Sequence, residues 1–195
     1  TDSDTEVLLH AYDEWGPACV ERFRGMFAFG LADFRRRRIL LARDPFGIKP
    51  LHVRRGAGYL AFASELVALR AVEDDAPRGD VEAVEQFLRF GYVPAPKSVY
   101  RDVAKVMPGT WFTVDFDGVE SEPTRYYELV FDEATEDASD EVWTDRAEDV
   151  IRDSVEAHLV ADVPFGVFLS GGTDSTLVAG AMSRILERPV TAFAI

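Results

Sequence analysis

An apolar run, Val163 to Leu169, leads without a spacer into Ser170-Gly171-Gly172-Thr173-Asp174-Ser175. Helical periodicity follows over Thr176 to Leu186, and a second apolar run closes the chain at Val190 to Ile195. A strand, a glycine turn, a helix and a second strand make one βαβ unit, whose strands are parallel. Parallel strands need both faces covered, and one βαβ unit leaves faces and edges open. The segment is therefore expected to begin an α/β parallel-sheet domain that continues beyond Ile195. The helix expected just before it, over 141–160, is amphipathic: Val150, Ile151, Val155 and Leu159 on the inner face, Asp145, Glu148, Asp149, Arg152, Asp153 and Glu156 on the outer.

The first 128 residues follow other rules. Ser3 and Glu6 have the spacing of a capping box, and Leu8, Ala11, Tyr12 and Trp15 recur at helical spacing up to Gly16. Strands are expected over 26–34, 38–43, 51–54 and 59–63, with short turns between them, which reads as an antiparallel sheet. Helices are expected over 64–69 and 81–90. Asp80 caps the second, with Val84, Phe87 and Leu88 on one face. Phe112, Val114 and Phe116 alternate with Trp111, Thr113 and Asp115 before an Asp117-Gly118 turn, the pattern of a hairpin. The acidic stretch around 129–140 reads as a linker.

The chain has 195 residues, 47% of them hydrophobic, which excludes intrinsic disorder. Its 21 Lys+Arg against 35 Asp+Glu give a net charge of −14. The excess is local: residues 1–110 balance, while 111–195 carry 5 basic and 19 acidic residues. Nucleic acid and anionic membranes want a basic face, so neither is an expected partner. No apolar run reaches membrane-span length. The single cysteine, Cys19, builds no disulfide framework, and a cytoplasmic location is the default expectation. Arginine-rich basic usage beside an acidic segment fits salt adaptation and a GC-rich genome equally.

The chemistry concentrates at 170–175. Two glycines let the backbone approach an anion, Ser170 and Ser175 offer hydroxyl donors, and the helix start adds free N–H groups and the favourable end of the dipole. Asp174 is the odd member. A carboxylate beside a phosphate repels it unless a cation sits between them, which implies Mg²⁺. The Walker A pattern is absent. An ordinary strand-to-helix turn with a polar cap is the competing explanation.

S-G-G-x-D-S after an apolar strand resembles the pyrophosphate loop of the ATP-pyrophosphatase (adenylating) enzymes. Upstream stand Ser3-Asp4-Thr5-Glu6-Val7, Arg43-Asp44-Pro45-Phe46-Gly47-Ile48-Lys49-Pro50-Leu51, Phe62-Ala63-Ser64-Glu65-Leu66, Phe90-Gly91-Tyr92-Val93-Pro94-Ala95-Pro96 and Asp162-Val163-Pro164-Phe165-Gly166-Val167. In that order and spacing, the whole chain resembles glutamine-hydrolysing asparagine synthetase.

The resemblance implies an α+β glutaminase of the N-terminal-nucleophile type, an αββα sandwich, represented by its C-terminal part over 1–128. A linker would follow at 129–140, and the start of an ATP-pyrophosphatase synthetase domain at 141–195. The implied reaction makes asparagine from aspartate, glutamine and ATP through β-aspartyl-AMP, releasing AMP and pyrophosphate. Carried over by residue, Asp4 binds the glutamine α-ammonium group. Leu169, Ser170, Gly171, Gly172, Asp174 and Ser175 bind ATP or its pyrophosphate, and Asp174 also holds the metal. The resemblance allows a homodimer through the glutaminase part.

The chain departs from the family in places. The family commonly has Leu where Thr173 stands and Ser where Thr176 stands; neither change removes a needed donor. The family's nucleophile is an N-terminal cysteine, but Thr1 stands first here and opens onto a helix cap. Cys19 lies mid-chain and is expected in the core. No catalytic residue is assigned, and the chain is expected to be an internal fragment that is inactive alone. Two rivals stand: a related amide ligase or β-lactam synthetase-like enzyme with another carboxylate substrate, and a non-catalytic assembly module. Arg43, Asp44 and Lys49 are expected to form a salt-bridged structural loop, Arg35 to Arg38 a solvated turn, and His10, His52 and His158 to ligate nothing.

Overall fold

A computed structural model describes residues 3–72, 78–131 and 138–194, divided into two compact units, Thr1–Val130 and Phe131–Ile195. Thr1, Ile195 and residues 132–137 of the expected linker lie outside the described residues.

The first unit opens with α1, Asp4–Trp15, which ends at Gly16 with φ 62°, the left-handed conformation glycine adopts freely. The Ser3 side chain makes no capping bond. The Glu6 amide that a capping box would offer it is taken at 2.9 Å by the Ser3 carbonyl. A 3-10 helix, Gly16–Arg22, follows, with Cys19 fully buried.

Two antiparallel sheets come next, where the spacing suggested one. The first runs β1 (Ala28–Asp33), β2 (Arg38–Arg43), β6 (Thr110–Asp115), β7 (Thr124–Arg125). The second runs β4 (Tyr59–Ala63), β3 (His52–Gly56), β5 (Val103–Lys105). Both edges of β2 are occupied, by β1 and β6, so the β3–β4 hairpin pairs elsewhere. Period-two alternation then serves two cores. Leu31, Leu40 and Ala42 pack with Ala11, Tyr12, Cys19 and Val20 of the helical layer. Leu41, Phe112 and Val114 pack with Leu51, Val53 and Val106.

Two helices complete the unit. α2 spans Leu66–Arg70 and buries Leu69. α3 spans Val81–Phe90, and the Asp80 carboxylate caps it by accepting from the Glu82 amide. Only Ala83 of α3 is buried; Val84, Phe87 and Leu88 are half or more exposed.

The β1–β2 turn is not uniformly solvated. Asp33 accepts from the Arg36 amide at 2.9 Å, from the Tyr12 hydroxyl at 2.9 Å and from the Arg36 guanidinium at 3.0 Å, while Arg38 donates to the Tyr12 oxygen. These bonds, the Arg36 amide first, hold the Asp33 carboxyl down to about 2 from an ordinary 3.8. Its stabilisation is complete above the ordinary value and is lost as pH falls from there through about 2. Asp33→Asn is expected to cost about 1–2 kcal/mol at pH 7, with Arg36 partly screened by solvent. Urea melts of variant and parent should converge near pH 2. A gap that persists unchanged at that pH would refute the carboxylate's role.

The second unit holds α4 (Asp140–His158), β8 (Val167–Phe168), α5 (Thr173–Leu186) and β9 (Ala192–Phe193). The strands pair in parallel, Val167 with Ala192 and Phe168 with Phe193, as the βαβ pattern requires. The core is Val155, Val167 and Met182, with Ile151, Leu159 and Ile185 packed against it. Val150, expected inward, is 68% exposed, because it lies about 100° around the helix from Ile151. The strands are shorter than the apolar runs: Pro164 has no N–H to give, and Val163 is exposed. Among the described residues no helix is long and apolar enough to cross a membrane.

Candidate phosphate-binding site

β8 delivers the chain to the loop under tight control. The Val167 amide donates to the Thr191 carbonyl at 3.0 Å and the Leu169 amide to the Phe193 carbonyl at 2.8 Å. The Leu169 N–H is therefore spent on the ladder, leaving its carbonyl and side chain for any ligand. Gly171, at φ 77°, then reverses the chain in one residue, and Gly172 serves as the N-cap of α5. The helix begins at Thr173, three residues earlier than its apolar pattern. Thr173, Asp174 and Ser175 thus form its first turn, where backbone N–H groups lack helical partners.

The two serines are locked together. Their hydroxyl oxygens are 3.1 Å apart. The Ser175 oxygen accepts from the Ser170 amide at 3.3 Å and its hydroxyl donates to the Gly172 carbonyl at 3.1 Å; the Ser170 oxygen accepts from the Gly172 amide at 3.4 Å. The Thr176 hydroxyl, which sequence reasoning did not assign to the site, donates to the same Gly172 carbonyl at 2.8 Å. Its one signal in the sequence was a retained hydroxyl at a position where the family commonly has serine.

Asp174 is exposed and makes no hydrogen bond or ion pair among the described residues. A carboxylate held beside open helix-start amides, with no protein cation to offset it, is a donor set for a divalent metal shared with an anion. Magnesium uses one or two carboxylates plus phosphate oxygens, so this side chain fits. Among the described residues no group of three or more His, Cys, Asp or Glu gathers as a cage. A groove of about 950 Å³ lies alongside, lined by Gly171, Gly172, Thr173 and Thr176 on the loop side and by Ile151 of α4. That is the size of a small-molecule site.

Leu169, Ser170, Gly171, Gly172, Asp174 and Ser175 are thus brought together in one strand-to-helix connection. Asp4 stands apart in the first unit, as the exposed first residue of α1, without a hydrogen bond or ion pair among the described residues. Burial pushes the Cys19 thiol up, the reverse of what an attacking thiolate needs. Arg43, Asp44 and Lys49 form a compact loop of the first unit, but the Arg43 guanidinium donates to the Lys49 carbonyl and the Asp44 carboxylate accepts from the Lys49 amide, in place of the salt bridges expected, none of which joins these three side chains among the described residues.

Comparison with known proteins agrees with this division. Residues 1–127 match the family model described as glutamine amidotransferase domain, and residues 146–195 match the one described as asparagine synthase. Asparagine synthetase [glutamine-hydrolyzing] 1 of Bacillus subtilis is 39% identical over 178 residues, 91% of this chain and 28% of the relative. Asparagine synthetase [glutamine-hydrolyzing] 2 of Arabidopsis thaliana is 35% identical, covering 96% of this chain and 27% of the relative. Asparagine synthetase B [glutamine-hydrolyzing] of Escherichia coli is 31% identical, covering 97% and 29%. The chain therefore spans about 30% of the length of such relatives. With residues 1–127 under one model, more than half of its length, the chain belongs to the glutamine amidotransferase domain family.

Proposed function

We propose that this chain is the junction of a glutamine-dependent asparagine synthetase: the C-terminal part of a glutaminase over 1–128, a linker over 129–140 and the start of an ATP site over 141–195. The observation that carries the reading is the Asp174 carboxylate, unpartnered among the described residues, in the first turn of α5, beside Gly171, Gly172 and two serine hydroxyls. In this reading the first unit is part of an αββα sandwich. The helical layer on the first sheet and the core between β2, β6 and β3 support it.

The protein's own groups have defined tasks. The loop amides and the hydroxyls of Ser170 and Ser175 bind the β- and γ-phosphates of ATP, and Leu169 borders the nucleotide. Asp174 holds Mg²⁺, which offsets charge on the departing pyrophosphate when bound. The side-chain carboxylate of aspartate attacks the α-phosphorus, pyrophosphate leaves, and ammonia from glutamine displaces AMP from β-aspartyl-AMP. Positioning and charge neutralisation are the protein's contribution at phosphorus. Asp4, at a free helix start, pairs with the α-ammonium group of glutamine. Cys19, the single cysteine of the chain, is locked in the core and offers no thiolate for glutamine hydrolysis, so in this reading the stretch neither hydrolyses glutamine nor makes asparagine alone.

Calorimetric titration of the complete gene product with Mg-ATP tests the site. Saturable, magnesium-dependent binding is expected, weakened roughly tenfold or more in Asp174→Ala, which removes a charge-assisted contact. Absence of binding by the unaltered complete protein would overturn the assignment. The acceptor is tested on the complete gene product: AMP release should require aspartate, and turnover with a different carboxylate only would place the protein among related amide ligases.

A further inference from the structure

We propose that Thr176 is a positioning residue of the phosphate loop, whose hydroxyl holds the Gly172 carbonyl so that the Ser175 hydroxyl can turn to an anion. The inference rests on the reading of 170–175 as an anion loop. Three donors converge on the Gly172 oxygen: the Thr176 amide at 3.1 Å, the Thr176 hydroxyl at 2.8 Å and the Ser175 hydroxyl at 3.1 Å. A carbonyl oxygen has two lone pairs, so one donor is in excess. A helical threonine commonly bonds the carbonyl four residues back. Here the same carbonyl is shared with a serine of the proposed site.

Ser175 is the member that can leave. Its hydroxyl has one proton. While that proton rests on the Gly172 carbonyl, it is withheld from any ligand. The Ser175 oxygen meanwhile receives the Ser170 amide and lies beside the Ser170 hydroxyl, so the loop's own groups satisfy one another. Turning the Ser175 proton outward leaves Gly172 with the amide and hydroxyl of Thr176, two donors for two lone pairs. Without the Thr176 hydroxyl, the same turn leaves one donor, and Ser175 is held at home. The chemistry needs a hydroxyl at 176, which serine supplies as well as threonine.

The test is calorimetric titration of the complete gene product with magnesium pyrophosphate. Thr176→Val is expected to weaken binding about fivefold, the worth of one hydrogen bond, and Thr176→Ser to stay within about twofold. In a Ser175→Ala background, Thr176→Val should have no further effect, because the partner it releases is gone. Thr176→Ala, a better helix former, carries the same comparison if the valine variant loses helical signal. Equal binding by the unaltered protein and Thr176→Val overturns the inference alone. An additive loss in the double variant also overturns it, since that marks a general structural role. No binding by the unaltered protein overturns the anion-loop reading and this inference with it.

Discussion

Asp44→Ala is expected to cost the first unit about 3 kcal/mol or more, because one buried carboxylate serves three backbone donors. Asp44 is completely buried. Its oxygens accept from the amides of Phe46 at 3.1 Å, Ile48 at 3.0 Å and Lys49 at 2.9 Å. Its main chain ties the same turn to both neighbours: the amide donates to the Phe27 carbonyl, and the carbonyl accepts from Gly47 and Gly109. Beside it, the Arg43 guanidinium donates to the carbonyls of Lys49, Gly47 and Val106. Burial pulls the Arg43 pKa down, and the Asp44 charge opposes that. Removing the carboxylate strands three donors and leaves a buried cation without the negative charge that offsets its burial. Asp44→Asn should fall between, because it keeps one acceptor oxygen and turns an NH2 group against a backbone donor. Amide exchange in β2 and β6 reads this unit specifically. A loss below about 1 kcal/mol for the alanine variant would contradict the account.

That loop marks a boundary of what sequence patterns convey. Arg43 and Asp44 read as a structural loop, and the structure keeps them structural, but through amides and carbonyls and not through side-chain ion pairs. Local signals fared best. α3 has the expected bounds, and Asp80 caps it, because cap, period and stop all lie within a dozen residues. β2 and β4 also have the expected bounds. Pairing is a different matter. Nothing within 51–63 states that its partner is 103–105, so two sheets read as one. The Ser3 capping box failed for a local reason that composition hides: the Ser3 carbonyl competes with its hydroxyl for the same amide and wins.

The candidate loop was legible in outline because it is contiguous. Six residues in a row carry the glycines, hydroxyls and carboxylate, and no long-range pairing is needed to collect them. The interior economy of the loop was not legible. That Ser170 and Ser175 satisfy one another, and that Thr176 shares their acceptor, depends on hydroxyl directions and on α5 starting at Thr173. Asp4 illustrates the converse. Its place at a helix start was readable, but a role in binding glutamine came from resemblance, and the geometry adds an open carboxylate without a partner.

Glycine substitutions around β8 should separate strand packing from loop conformation, with Gly166→Ala the most damaging at about 2–3 kcal/mol. A Cβ on Gly166 would lie 2.6 Å from the Thr191 carbonyl oxygen and 2.8 Å from the Phe193 ring. That oxygen already accepts from the Val167 amide, so it cannot retreat without breaking the β8–β9 ladder. The strands must part, and Leu169, held by the Phe193 carbonyl, shifts with them. The loop that follows Leu169 would shift with the strand. Gly171 has open space around it but sits at φ 77°, so Gly171→Ala should cost about 1 kcal/mol from backbone strain alone. Gly172 has an ordinary extended conformation, and its added Cβ would meet only the Ser170 hydroxyl at 3.4 Å. Gly172→Ala should therefore leave stability within about 0.5 kcal/mol. Exchange rates of the β8, β9 and α5 amides rank the three variants. If alanine at 172 proves costlier than alanine at 166, the close strand approach is not what makes glycine necessary before the loop.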